Sequence, residues 1–326
     1  MAELLHAQPF LLVALGLYLG FGLLVSLITR PVVRGTEGWS PVARHRTLLA
    51  FGALPAFLAA LSTFAVLLPS VLAGFWPQLD HCLVHRGHVH LCLHHPFGPA
   101  GGWSSWIVAA GLAWLLAVIG IELEGWFSAR RWLATIRATG HWDPKLSAWV
   151  LPVAQPICLT LGALHPVLVL SRGFLESASP AELGVALSHE RAHVLRRDGL
   201  INFLARLLTL SLLPRSRRRL LSALELAGER SCDEAAAAAV GDRLQVAEAL
   251  LAMEQRLSGA PPPEPFAVGL GPSSVPERIE TLLRPPSTRD PSWAWALVFL
   301  AAAAICIYDF QGVHHRLESI LSLAFP

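Results

Sequence analysis

The chain has 326 residues, 54% of them hydrophobic and only 15% charged, and its mean hydropathy is +0.52. Soluble domains carry about 25% charged residues, so this composition excludes an ordinary soluble globular protein and points to a membrane. The formal net charge of +2 gives no argument for nucleic-acid binding, because the arginines behind it mark membrane sidedness instead.

The first element is an apolar run from Pro9 to Thr29 without a charge. It does not read as a secretory signal, since MAELLHAQ carries Glu3 and no lysine or arginine. A second uncharged run covers Leu48 to Trp76, and a third covers Trp103 to Ile121, closed by Glu122 and Glu124. A span needs roughly 20 apolar residues, so these three qualify as membrane helices at about 9–29, 48–76 and 103–122. Trp293 to Tyr308 is shorter and qualifies as a fourth only with its flanks. The expected organisation is three spans in 1–125, a folded domain in 126–290, and a fourth span with a short tail in 291–326.

Arginines set the orientation. Arg30, Arg34, Arg44 and Arg46 follow span one; Arg130, Arg131 and Arg137 follow span three; Arg278, Arg284 and Arg289 precede span four. The 77–102 loop and the C-terminal tail hold only Arg86 and Arg316. The positive-inside rule then places both termini and the 77–102 loop outside and the 126–290 domain in the cytoplasm, as for a multi-pass protein of a bacterial inner membrane. Cys82 and Cys92 fall in the outer loop, where HCLVHRGHVHLCL reads as a hairpin turning near Arg86-Gly87, and a Cys82–Cys92 disulfide is expected there. The same loop holds His81, His85, His88, His90, His94 and His95, a tract that could take a transition metal or could simply be polar.

In the 126–290 domain, Leu151–Leu159 and Pro166–Leu170 are apolar and β-branched, and read as a small hairpin turning around Gly162. Ser179-Pro180-Ala181-Glu182 then gives a capping-box start with proline at the first helical position. The helix that follows contains His189-Glu190-Arg191-Ala192-His193, an H-E-x-x-H signature. Positions i and i+4 share one helical face, so His189 and His193 can hold one zinc ion while Glu190 acts as general base. Leu200–Leu213 is apolar but short for a span, and is expected against the domain core or at the membrane face. Arg215, Arg217, Arg218 and Arg219 follow, to contact anionic lipid or to stand in water.

A catalytic zinc usually has three protein ligands and an open position. Glu229 is the best third ligand, with Glu225 one turn earlier as its competitor. Asp233 shares the face of Glu229 and suits a hydrogen bond to a ligand histidine. No oxyanion donor stands out: the two tyrosines, Tyr18 and Tyr308, lie in membrane segments, and His141 and His165 are better explained as structural. Residues 259–276 are rich in proline and glycine and read as a loop.

PVLVL, LSHERAHVLRRD, E-x-x-x-D and PERIETLL before a last span together resemble the BlaR/MecR-type antirepressor zinc metallopeptidases, across roughly residues 120–290. CAAX-protease and HtpX-like membrane peptidases share H-E-x-x-H with E-x-x-x-D and are the neighbouring alternative. The resemblance implies a mainly α membrane protein of four transmembrane helices, with a cytoplasmic α+β gluzincin-like domain between helices three and four. It implies His189, His193 and Glu229 as zinc ligands, Glu190 as base, and Asp233 behind a ligand. It implies a substrate strand added to the edge of the 151–170 hairpin. It also implies hydrolysis of a cytoplasmic protein, plausibly a DNA-binding repressor, as partner beside the lipid bilayer; a homodimer stays open. A quality-control peptidase and a non-enzymatic signalling scaffold are the competing functions. Asp309–Pro326 carries no S-x-x-K or K-T-G, so covalent β-lactam sensing is not expected.

Overall fold

A computed structural model describes residues 2–76, 103–257, 267–269 and 275–324. The expected Cys82–Cys92 bond and the histidine tract lie outside these residues.

Three long helices dominate: α1 (Ala2–Gly35), α2 (Pro41–Phe75) and α3 (Trp103–Thr139). Each contains a stretch long and apolar enough to cross a membrane, Phe10–Gly35, Pro41–Phe75 and Trp106–Thr139. They run past the uncharged cores read from the sequence, because helices do not stop where the bilayer does. The protein is therefore mainly helical and membrane-associated.

After α3 come strands β1 (His141–Asp143), β2 (Ala148–Leu151), β3 (Cys158–Leu161) and β4 (Val167–Ser171). The short helix α4 (Arg172–Ser177) follows, then α5 (Pro180–Arg196), α6 (Asp198–Leu208), α7 (Pro214–Val240) and α8 (Arg243–Leu257). Strand β5 (Ala267–Gly269), helix α9 (Val275–Leu283), α10 (Ala294–Tyr308) and α11 (Phe310–Ala324) complete the chain. Between α10 and the Gly312–Ser319 stretch of α11 the axis bends by 80°.

The five-stranded sheet has the order β1-β2-β4-β3-β5. The expected hairpin is β3–β4, antiparallel like β1–β2, with Gly162 at φ +111 in its turn, a conformation that other residues rarely adopt. The hairpin expected from 151 to 170 is thus shorter than read. Pro152 and Pro156 lack the N–H a ladder needs, so 152–157 is a connection, and β2 instead runs parallel to β4. The edge expected to receive a substrate strand also differs, because β5 already pairs with β3 there.

Side chains alternate across this sheet. Ala148, Cys158, Leu168 and Leu170 join Val185, Ala186 and Leu250 in one core. Leu151, Leu161 and Val169 join Ala129 and Ile136, from the end of α3, in another. With both faces covered, the strands are almost continuously apolar.

The domain is sewn to the spans. Ala43, Arg44, His45, Thr47, Leu48 and Phe51 of α2 are buried, and Leu48 and Phe51 pack with Leu220 and Leu224 of α7. The apolar Leu200–Leu213 stretch forms α6 and a turn that reaches α1, where the Tyr18 hydroxyl accepts from the Ser211 amide at 3.2 Å. The Ser26 hydroxyl accepts from the Leu213 amide at 2.9 Å. The 284–290 strap is tied to the α1–α2 turn, the Ser40 amide donating to the Arg289 carbonyl at 3.0 Å and the Ser287 hydroxyl to the Gly38 carbonyl at 2.9 Å.

Candidate metal centre

Helix α5 starts as its sequence dictates. The Glu182 amide donates to the Ser179 hydroxyl at 3.2 Å, and the Ser179 amide donates to the Glu182 carboxylate at 2.6 Å. The helix then runs unbroken through the motif, and His189, Glu190 and His193 are all buried. Helix α7 crosses it and presents Glu229 and Asp233 one turn apart.

His189 Nε2 and His193 Nε2 lie 3.0 Å apart. Glu229 completes the triangle, its Oε2 3.5 Å from His189 Nε2 and its Oε1 3.5 Å from His193 Nε2. Bonds of about 2.0–2.2 Å from one tetrahedral centre put ligand atoms at about such separations. The other ring nitrogens face carboxylates. His189 Nδ1 is 3.0 Å from Asp233 Oδ1, and His193 Nδ1 is 2.7 Å from Asp198 Oδ2. A carboxylate on Nδ1 fixes the tautomer and turns Nε2 toward a metal. The buried Glu190 Oε1 has no hydrogen-bond partner, as an oxygen placed to take a proton from a water would. The residues fit zinc. Glu225, the competing ligand, is not in the triangle, and exposed His141 and His165 are not in it either.

Glu190 is oriented by β3. The Thr160 hydroxyl donates to Glu190 Oε2 at 2.8 Å. Burial raises the Glu190 carboxyl above the usual carboxylate range, against the pull of His193 and His189. Burial would lower His189, but the hydrogen bonds and charges of Asp233 and Glu229 carry it up to about 9.

Four contributors escaped the sequence reading. Arg278 of α9 is fully buried, with Nη1 2.9 Å from Glu229 Oε2 and Nη2 2.6 Å from Asp233 Oδ1. Burial raises the Glu229 and Asp233 carboxyls, but Arg278 leads the charges that hold both below the usual range. Its only signal was the PERIETLL stretch, which names no partner. Asp198 lies just past the end of α5, where Arg197 adopts a left-handed conformation (φ 55, ψ 46) and folds the chain back toward His193. Arg196 braces Asp198, Nε to Oδ1 at 3.0 Å. Thr160 and Cys232 complete the four. Cys232 Sγ is 3.6 Å from Asp198 Oδ2, and His193, Asp198 and Cys232 form a second convergent set. Burial pushes the Cys232 thiol far up, so it packs as a neutral group while Asp198 engages the histidine. Arg191 points away, its Nη2 donating to the Leu146 carbonyl at 3.4 Å.

Compared with known proteins, the chain matches no family model, no curated protein and no solved structure.

Proposed function

We propose that this protein is a membrane-anchored zinc endopeptidase, with His189, His193 and Glu229 as metal ligands and Glu190 as general base. The observation that carries the reading is the convergence of two histidine Nε2 atoms and a glutamate, each histidine backed by its own carboxylate, beside a buried glutamate with one free oxygen. Zinc held there would supply a Lewis acid that polarises the peptide carbonyl and lowers the pKa of water. Glu190 takes a proton from the attacking water through Oε1, while Thr160 holds Oε2. The hydroxyl adds to the carbonyl carbon, the C–N bond breaks, and Glu190 returns the proton to the leaving amine. Arg278, Asp233 and Asp198 hold the ligands in place.

The arginine distribution supports the 126–290 domain facing the cytoplasm, with α10 and its flanks as a fourth crossing. The substrate is then a cytoplasmic protein, and the resemblance favours a repressor over bulk damaged proteins. Glu190→Gln in the full chain retains zinc and stops hydrolysis, and quantitative proteomics of cells carrying it shows one or a few stabilised proteins. Cleavage that survives Glu190→Gln overturns the assignment, and broad stabilisation of misfolded proteins selects the quality-control role.

A further inference from the structure

A cavity of about 460 Å³ opens between α3 and α6, away from the metal centre, and the metallopeptidase reading does not account for it. It is lined by Ile121, Glu122, Glu124, Ser128, Arg131 and Arg206. Its volume falls in the roughly 300–1,000 Å³ range of small-molecule sites. On α3 the spacing 121, 124, 128 and 131 keeps these residues on one helical face. That face is polar on a helix whose remaining surface, with Trp106, Ile107, Leu112 and Leu116 exposed, suits lipid.

Depth follows from where charge begins on α3. The run from Trp103 to Ile121 is uncharged and about long enough to cross the hydrocarbon core, and Glu122 and Glu124 close it. The stretch from Glu124 to Arg131 therefore starts at one border and continues into the headgroup layer.

Charge selects the occupant. Arg206 Nε lies 2.9 Å from Glu122 Oε2, so these two neutralise each other as the back wall. Glu124 and Arg131 are exposed, and neither has an ion-pair partner among the described residues. They stand two helical turns apart, about 10 Å along the axis, with side chains long enough to reach a group lying over Ser128. One acid and one base, at headgroup depth, form the complement of a zwitterion. A purely anionic headgroup would meet the Glu124 carboxylate. A quaternary ammonium could not donate a hydrogen bond to it, whereas a primary ammonium donates up to three.

We propose that this cavity binds the headgroup of a phosphatidylethanolamine-type lipid, its phosphate on Arg131 and its primary ammonium on Glu124. The site docks a structural lipid where α3 meets α6, and it does not depend on the identity of the metal centre.

The test is native mass spectrometry of the delipidated full chain in detergent, offered phosphatidylethanolamine, phosphatidylcholine or phosphatidylglycerol with matched acyl chains. The wild type retains one phosphatidylethanolamine, about tenfold more tightly than phosphatidylcholine, as expected for one charge-assisted hydrogen bond. Glu124→Gln erases that preference and leaves phosphatidylcholine unchanged. Arg131→Gln weakens both, and Arg130→Gln weakens neither, because Arg130 is 5.5 Å from the Trp126 ring in a cation–π contact instead. Equal retention of the two lipids by the wild type, preference for phosphatidylglycerol, or unchanged phosphatidylethanolamine retention in Glu124→Gln each overturns the proposal. The wild-type comparison needs no variant to fold, and zinc content and melting temperature verify the fold of each variant.

Discussion

His193 Nδ1 lies 2.7 Å from Asp198 Oδ2, and Arg196 holds the same carboxylate from its other side. The last turn of α5 is thereby locked to the first of α6, and the imidazole cannot rotate its Nε2 away from His189 and Glu229. Asp198→Asn keeps the shape and loses the charge. Metal affinity, measured against a chelator, is expected to fall about 10–100-fold, as for other partners of metal-ligating histidines, while helix content stays constant. Unchanged affinity would show that the bond only ties two helices together.

Arg278 places one guanidinium against two buried carboxylates. Removing one partner of a buried ion pair costs about 3–5 kcal/mol. Arg278→Met is therefore expected to lower the melting temperature of the metal-free chain, and added zinc restores part of it by neutralising Glu229. Arg278→Lys recovers less than half of the loss, because an ammonium cannot reproduce the planar fork on Asp233. If zinc stabilises wild type and Arg278→Met equally, the arginine does not act through the metal ligands.

The centre was half legible in the sequence, and the division has a physical reason. His189, Glu190, His193, Glu229 and Asp233 were readable because helical periodicity fixes which residues share a face. Asp198 was not, since one left-handed residue at 197 breaks that periodicity. Arg278 was not, since it reaches the site only through tertiary packing of α9 on α7. The spans were plain from apolar length, although the 43–51 end of α2 is buried against the domain. The sheet was the least legible part: two prolines, not the apolar pattern, decide where β2 ends and β3 begins, and β5 comes from a stretch that reads as a loop.

In the proposed centre, His189 makes metal binding depend on pH. Raised to about 9, it is protonated at neutral pH without metal and must lose that proton to ligate. Metal affinity is expected to rise with pH up to about 9. Calorimetry in buffers of different ionisation enthalpy should show about one proton released per zinc at pH 7. The metal-free fold runs the other way. A histidine raised in the folded state contributes stability that is fully present below its unfolded pKa near 6.5 and is lost as pH rises through 9. Uptake without proton release would mean that Asp233 and Glu229 leave His189 neutral.

The turn between α6 and α7 lies deep along α1. Tyr18 is 12 residues before Arg30, roughly 18 Å along the helix from the charged end, yet it bonds the Ser211 amide. Gly22 permits this approach: a Cβ there would lie 2.4 Å from the Ser211 carbonyl oxygen, whereas one on Gly16 would meet nothing within 4 Å. Gly22→Ala must push the turn away, and because the turn leads directly into α7, the push is transmitted toward Glu229. Overpacking costs about 1–3 kcal/mol, whereas alanine for glycine within a helix gains about 0.5–1 kcal/mol when nothing clashes. In full chains melted in detergent, Gly22→Ala should therefore unfold at a lower temperature than wild type and bind zinc more weakly, while Gly16→Ala should match or exceed wild type. Equal melting of the two variants would mean that the turn does not dock on α1 at this depth.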